Sequence, residues 1–299
     1  MRKIVLVLVG LVFGVGCAST FTEEELKIEG EIEAKIREEI KKPEGELTDE
    51  DLLLVTRISF PRDHQVANFA PISRLKNLKY FGATANKANP INSLNFLQDL
   101  EGLSDIVLNQ PTLASFESLS KLMNLRTLDI HGNKTEINNI STLGILPNLT
   151  NVDLRGCNVT SLKGLGRSKS IKKLCLLSNK IENIGELAQL AQIEELQLGH
   201  NPISDITPIS QLKDLRMLHL GGTGFLARDW TSVSKLKNLV DFRGDCRGMV
   251  APINSLQFLF ELEKIQAVQV YGAKLEYSQI EAIQKALPNL KSFKHDIER

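Results

Sequence analysis

Few residues in the chain have both the type and the spacing that chemistry requires. A glycine cluster, GGTG at 221–224, is not followed by the lysine and hydroxyl residue of a phosphate-binding loop. Asp129 and Asp153 occupy the same place in two similar nine-residue segments, and a close carboxylate pair could serve a retaining glycosidase or a calcium site. The four cysteines lack the spacing of a disulfide framework or zinc site: Cys17, Cys157, Cys175 and Cys246. Whether any of these groups meet depends on the elements that carry them.

The chain contains a repeat with the pattern L-x-x-L-x-L-x-x-N. Alternating apolar residues at its fourth and sixth positions predict a short strand with one buried face. One repeat cannot bury its own apolar face, so the copies must stack as coils of a solenoid with a parallel sheet. About eleven copies are present, of which five align without gaps: LRTLDIHGN (125–133), LTNVDLRGC (149–157), IKKLCLLSN (171–179), IEELQLGHN (193–201) and LRMLHLGGT (215–223).

The ninth position of the repeat predicts a ladder of side-chain hydrogen bonds. An asparagine there can bond to the backbone of neighbouring coils where the chain bends away from the sheet. Cys157 occupies the same position in its own copy. Two longer return segments, PINSLNFLQDLE (90–101) and PINSLQFLFELE (252–263), predict a helical turn and an internal duplication. The asparagines are Asn86, Asn133, Asn179 and Asn201.

The segment 22–54 predicts a helical cap over the first coil. Isoleucines recur every four residues from Ile28 to Ile40, which places them on one helical face. Pro43 and Gly45 end that helix, and Thr48 is a suitable N-cap for a second one. A solenoid needs such a cap to cover the apolar face of its terminal coil.

The repeat and the cap together resemble bacterial leucine-rich repeat proteins of the internalin type. The resemblance implies an α/β fold: a curved solenoid with short parallel strands on the concave face and loops and short helices on the convex face. Residues 55–299 would form the repeats and a C-terminal cap. The resemblance also implies a non-catalytic role in which the concave sheet binds a protein partner.

The third, fifth and seventh positions of each copy are expected to face solvent on the concave side. Adjacent strands would place Asp129 and Asp153 about 5 Å apart. An open sheet offers no water-excluding pocket, so we favour acids that are solvated or contact a partner; a bound cation and a hydrolase remain the weaker alternatives. His131 and His219 lie four coils apart and cannot share a metal, so neither a metal nor a cofactor is expected. The predicted ligand-binding residues are Asp105, Asp129, His131, Asp153, Arg155, Lys173, Glu195, His219, Asp241, Arg243, Asp245 and Tyr271.

Composition narrows the classes of partner. Lysine plus arginine and aspartate plus glutamate both total 36, so the chain has no net charge that would attract nucleic acid. We expect a monomer that binds a protein. The alternative is a structural scaffold of the cell envelope that binds through its convex side or end coil.

The first residues predict export. Arg2 and Lys3 precede an apolar run over 4–16, which is too short to span a membrane and fits a signal peptide at 1–16. The run ends at Cys17 and resembles a bacterial lipoprotein signal, although Gly14 stands where leucine is usual. The resemblance implies an acylated Cys17, a tether at 17–21, and a lipoprotein held on a membrane at the cell surface or in the periplasm. Simple cleavage and an uncleaved anchor are the alternatives.

Overall fold

A computed structural model describes residues 21–87, 89–222, 230–245, 256–272 and 275–295. The predicted signal peptide, Cys17 and Cys246 lie outside the described residues, as do residues 223 and 224 of the glycine cluster at 221–224. In the described part of the chain, no helix has the length and apolar character needed to cross a membrane.

Eleven parallel strands, counted over the described residues, form one sheet in sequence order. This order confirms the predicted solenoid, because each coil adds one strand beside the strand of the coil before it. The strands are β1 Arg57–Phe60, β2 Tyr80–Thr84, β3 Asp105–Asn109, β4 Thr127–His131, β5 Asn151–Asp153, β6 Lys173–Cys175, β7 Glu195–Gln197, β8 Met217–His219, β9 Asp241–Asp245, β10 Ala267–Tyr271 and β11 Ser292–His295.

The strands alternate as the repeat predicts. In β4, Leu128 and Ile130 are fully buried, whereas Thr127, Asp129 and His131 are half-buried on the opposite face. The buried set joins one continuous apolar core that runs along the whole solenoid. The opposite face of the sheet carries the third, fifth and seventh positions, and we call it the concave face.

The return limbs are built mainly from 3₁₀ turns. The PINSL segments, which predicted a true helical turn, contain 3₁₀ helices at Asn95–Leu97 and Gln257–Glu261, like most other returns. Their backbone bonds span three residues, as in Leu97 N to Leu94 O at 2.9 Å. A 3₁₀ helix rises about 2.0 Å per residue and therefore crosses the return limb with fewer residues than an α-helix needs. The other 3₁₀ helices are Ala70–Arg74, Glu117–Leu119, Ser141–Ile145, Leu165–Arg167, Gly185–Gln189 and Thr207–Gln211.

The duplicated PINSL segments carry the same aromatic cluster. Phe96 stacks on Phe69 at 5.5 Å and meets the edge of Phe81 at 5.3 Å. About 160 residues later, Phe258 stacks on Trp230 at 5.5 Å and meets Phe242 at 5.3 Å. Offset-stacked and edge-to-face pairs of this kind stabilise a core beyond their buried area. The duplication predicted from the sequence is therefore repeated in three dimensions.

Among the residues that the structure describes, a left-handed residue ends the strand segment in seven coils. The eighth position of the repeat has φ between 55 and 70° there, which turns the chain away from the sheet. Glycine adopts this conformation without strain, and polar residues tolerate it less readily. The conformation explains the glycines before the ninth position, including Gly222 of the GGTG cluster. The seven residues are Gln110, Gly132, Gly156, Ser178, His200, Gly222 and Gly272.

Two ladders of polar side chains join the coils. The ninth-position asparagines bond to the backbone of the preceding coil, as in Asn201 Nδ2 to Leu176 O at 2.8 Å, which confirms the predicted ladder. A second ladder lies just before the first repeat position and was not predicted. Each of its side chains donates to a carbonyl of the preceding coil: Asn77, Asn124, Asn148, Ser170, Gln192, Asn238 and Asn289.

A helical cap precedes the first coil, and a longer helix forms the last return limb. At the start, α1 (Gly30–Ile40) buries Ile32 and Ile36, and α2 (Asp49–Leu53) begins with a capping box between Thr48 and Asp51. A four-residue helix, α3 (Thr231–Ser234), lies in a return limb. At the end, α4 (Tyr277–Ala286) buries Ile283 and precedes β11. The predicted helical N-terminal cap is present.

Candidate functional site

Strand register aligns the predicted binding residues in rows across the concave face. The fifth repeat position forms a row in which Asp129 pairs with Asp153, and Asp153 with Cys175. The same row continues through Gln197 and His219 to Arg243. The third position forms a parallel row: Tyr80, Asp105, Thr127, Asn151, Lys173, Glu195, Met217 and Asp241. A rigid sheet thus holds these side chains at fixed spacing.

Three predicted residues meet in one cluster on this face. His131 Nε2 lies 2.6 Å from Asp129 Oδ1 and 3.4 Å from Asp153 Oδ2. We call Asp129, His131 and Asp153 the Asp–His–Asp cluster. This grouping was not predicted, because the sequence set His131 only against the distant His219 as a possible metal partner. The spacing of Asp129 and His131 could have predicted it, because residues two apart on a strand face the same side of the sheet.

The two carboxylates of the cluster have opposite pKa shifts. Burial raises the pKa of Asp129, and the negative charge of Asp153 adds to this effect, while His131 and Arg155 oppose it. Burial would also raise the pKa of Asp153, but hydrogen bonds from Arg155 outweigh it and the pKa is lowered. Arg155 Nε lies 3.1 Å from both carboxylate oxygens of Asp153, and Arg155 Nη2 also contacts Oδ2.

Two further ion pairs occupy the concave face. Lys173 Nζ lies 2.6 Å from Glu195 Oε1 across β6 and β7. Arg243 Nη2 lies 3.0 Å from Asp241 Oδ2 along β9. Both pairs are partly exposed, so each contributes little to stability, at most about 1 kcal/mol. Each pair joins one positive and one negative side chain, so the pairs add no net charge to the concave face.

Cys175 and His219 lie between these charges. Cys175 is buried, and burial raises the pKa of its thiol to about 11, so the thiol stays protonated at neutral pH. Burial, with a contribution from Arg243, lowers the pKa of His219 and favours the neutral imidazole. A cleft of about 260 Å³ lies beside Cys175, lined by residues of β4 to β7 that include Asp129 and Asp153. The sequence predicted an open sheet without a pocket, whereas the concave face contains this cleft.

The predicted ligand-binding residues near the two ends of the concave face differ from one another in exposure and in hydrogen bonding. Asp245 is only 8% exposed, and its Oδ2 accepts a hydrogen bond from Gly222 N at 3.1 Å. Its predicted place on the exposed ligand face is therefore wrong, because this carboxylate holds the turn of the preceding coil. Tyr271 is exposed. Asp105 is half-buried and accepts a hydrogen bond from Ser104 Oγ at 2.5 Å.

One contact extends the face toward the first coils. The guanidinium of Arg57 lies 3.5 Å above the ring of Tyr80, which is a cation–π geometry. Neither residue belongs to the predicted binding set, although Tyr80 stands in the third-position row. The pairing of β1 with β2 brings them together, because Arg57 and Tyr80 are in register.

Solved structures with the same architecture are numerous. An internalin from Listeria monocytogenes superposes with a TM-score of 0.61 and 18% identity, covering 92% of both chains. Internalin C2 from the same organism gives a TM-score of 0.60 and 22% identity over 71% of this chain and 91% of its own. The fold is an internalin-like leucine-rich repeat solenoid. A plant peptide hormone receptor in complex with RGF2 gives a TM-score of 0.56 and 16% identity over 80% of this chain and 42% of its own.

No protein-family model matches the sequence, and no curated protein matches it either. The three structural likenesses described above are below 25% identity and show the fold alone. The chemistry of the concave face must therefore be argued from the residues of this chain.

Proposed function

We propose that the chain is a non-catalytic binding module that recognises a protein partner through its concave face. The observation that carries this proposal is the fixed register of charged and polar side chains across β3 to β9. A rigid, half-buried face of this kind orders few groups when it binds, which lowers the entropic cost of association. The similarity to a plant receptor solved in complex with RGF2 supports such a use of the fold.

The nucleophiles and acids of the face support binding over catalysis. The Cys175 thiol is protonated, and the Asp153 carboxylate is engaged by Arg155. A retaining glycosidase needs one carboxylic acid and one free carboxylate on opposite sides of a substrate. Here both carboxylates project from adjacent strands of the same face, and the cleft beside them is smaller than the usual substrate pocket of at least about 300 Å³.

The alternative is an envelope scaffold that binds through its convex side. Met123 and Ile145, on neighbouring return limbs, are 48% and 50% exposed, and this favours a small apolar contact there. The two proposals differ in the surface whose substitution should abolish partner binding, so one set of surface variants distinguishes them.

The test is partner capture with matched surface variants. Glu195→Lys and Arg243→Glu change the concave face, while Met123→Glu changes the convex side and Lys121→Glu is an exposed control that breaks only the ion pair with Asp99. Partners captured from extracts are identified by mass spectrometry, and their affinities are then measured with each purified variant. The proposal predicts loss of binding in the concave variants alone. Loss in Met123→Glu with unchanged concave variants would establish the scaffold instead.

Export and anchoring form a separate part of the proposal, supported by the sequence of residues 1–17. The chain is proposed to be a monomeric lipoprotein attached through Cys17, facing the cell surface or the periplasm. Mass spectrometry of the mature N-terminus should detect acyl groups on Cys17. Proteolysis of intact cells, with a periplasmic control protein, distinguishes the two sides of the envelope.

A further inference from the structure

We propose that Asp129, His131 and Asp153 bind one divalent transition-metal ion, with Zn²⁺ as the best candidate. Each residue offers one ligand atom, and these atoms all lie within 4.8 Å of one another. No other group of three such residues in the described part of the chain meets this condition. The site does not depend on the partner proposed above, and it can be tested on the isolated chain.

The strands preorganise the three ligands. Asp129 and His131 lie two residues apart on β4 and so point to the same side, and Asp153 projects from the in-register position of β5. Backbone bonds fix this register on both sides of the pair, because β4 and β5 are interior strands of the sheet. A binding site built on such strands is held more accurately than one built on loops.

Two of the ligand atoms lack a hydrogen bond although they are sheltered from solvent. The two atoms, Asp129 Oδ1 and His131 Nε2, are themselves sheltered, although their side chains are 30% and 33% exposed, and their 2.6 Å contact does not have hydrogen-bond alignment. Most buried polar atoms in proteins have a partner, and an exception needs an explanation. A cation beside the two atoms would bind both of them once they moved apart from their present 2.6 Å, and it would also reach Asp153.

The donor set indicates which metals fit. Imidazole nitrogen suits zinc and other transition metals, whereas calcium and magnesium are bound by oxygen alone. One imidazole and two carboxylates leave at least one coordination position open, on the solvent side of the sheet. Water or an acidic group of another molecule could occupy that position.

Arg155 opposes the binding of a cation here. Its guanidinium contacts both carboxylate oxygens of Asp153, so a metal must share that carboxylate with a fixed positive charge. Removing the positive charge should therefore strengthen metal binding. Tighter metal binding after substitution of Arg155 cannot result from misfolding, because a misfolded variant would bind the metal more weakly.

The test measures binding of Zn²⁺ and Co²⁺ to the purified chain by calorimetry, with the visible spectrum of Co²⁺ as a report of its ligands. One ion per chain is expected. Asp129→Asn and His131→Gln should each weaken binding by about tenfold or more, and Arg155→Gln should tighten it. Glu195→Gln and Asp241→Asn, which alter concave-face carboxylates two and four strands from Asp153, serve as controls and should leave the affinity unchanged.

Circular dichroism and thermal melting verify that each variant is folded. The proposal is overturned if the wild-type chain binds neither ion saturably, if the control variants weaken binding as much as the cluster variants do, or if Arg155→Gln fails to tighten it. Unaltered affinity in His131→Gln would equally exclude this site, whatever the partner experiments show.

Discussion

Asn179 Oδ1 accepts a hydrogen bond from Cys157 N at 3.0 Å, although Cys157 holds in its own coil the position that Asn179 holds in the next. The same oxygen accepts from Val159 N at 2.9 Å. Asn179 Nδ2 donates to Leu154 O at 2.8 Å and to Leu176 O at 2.9 Å. With a longer bond from Nδ2 to Leu177 O at 3.2 Å, one buried side chain thus satisfies five backbone groups in two coils.

Asn179→Ala should lower the free energy of unfolding by about 3 kcal/mol or more, because each buried backbone group left without a partner costs about 1–3 kcal/mol. Urea unfolding followed by circular dichroism measures the change. Asn148→Ala is the matched control: its single bond to Met123 O is exposed, and the loss should stay below about 1 kcal/mol. Equal losses in the two variants would contradict the structural role assigned to burial.

Gly144→Ala should destabilise the return limbs. A Cβ at Gly144 would lie 2.1 Å from Gly164 O, a backbone atom of the next coil that cannot move aside freely. Overpacking of this kind costs about 1–3 kcal/mol. Gly102→Ala is the control, since the group nearest to its Cβ is the flexible end of Lys79, at 2.8 Å. A Gly144→Ala chain as stable as Gly102→Ala would show that the coils can separate without cost.

Exchange of the Lys173–Glu195 pair separates stability from recognition. Lys173→Glu alone places two negative charges on adjacent strands and should reduce stability slightly, by less than about 1 kcal/mol. The double variant Lys173→Glu/Glu195→Lys restores an opposite-charge pair and should recover the melting temperature. Partner binding should remain impaired in the double variant, because the charge order on the face is reversed. Full recovery of binding would mean that the partner does not read this pair.

The cap should lose stability in acid through Asp51. A hydrogen bond from Lys42, followed by one from the Thr48 backbone, lowers the pKa of Asp51 to about 2. A depressed carboxyl pKa stabilises the fold above the unfolded value of about 3.9, and this stabilisation disappears as pH falls toward 2. Melting temperatures of wild type and Asp51→Asn should therefore differ at pH 6 and converge near pH 2. Glu50→Gln, an exposed neighbour in α2, should follow the wild-type curve at every pH.

The repeat pattern predicted the strands and the buried asparagine ladder because both depend on periodic contacts between neighbouring coils, and the four-residue spacing of isoleucines predicted the cap. The repeat pattern did not predict the 3₁₀ returns, since apolar spacing over ten residues does not distinguish a 3₁₀ helix from an α-helix. The left-handed eighth position was missed because Gln110, Ser178 and His200 occupy it alongside the glycines. The second ladder, from Asn77 to Asn289, was missed because it lies one residue outside the nine-residue pattern.

The site was predicted less fully than the fold. Assignment of faces by position placed Asp129, Asp153 and Arg243 on the concave side, where they lie. It could not show that Asp245 turns inward to the backbone of Gly222, because that depends on the path of the preceding coil. The Asp–His–Asp cluster needed side-chain directions along one strand as well as the row across strands.

The ladder of buried asparagines also determines which coils unfold locally first. The amides of Leu113, Cys157, Val159 and Ile181 donate to buried asparagine side chains, so their exchange with deuterium requires the rupture of contacts between coils. These amides belong to the middle coils, next to the Asp–His–Asp cluster. Local unfolding should therefore begin at the two ends of the stack and reach the Asp–His–Asp cluster last. The candidate binding surface would then lie on the coils whose amides exchange most slowly.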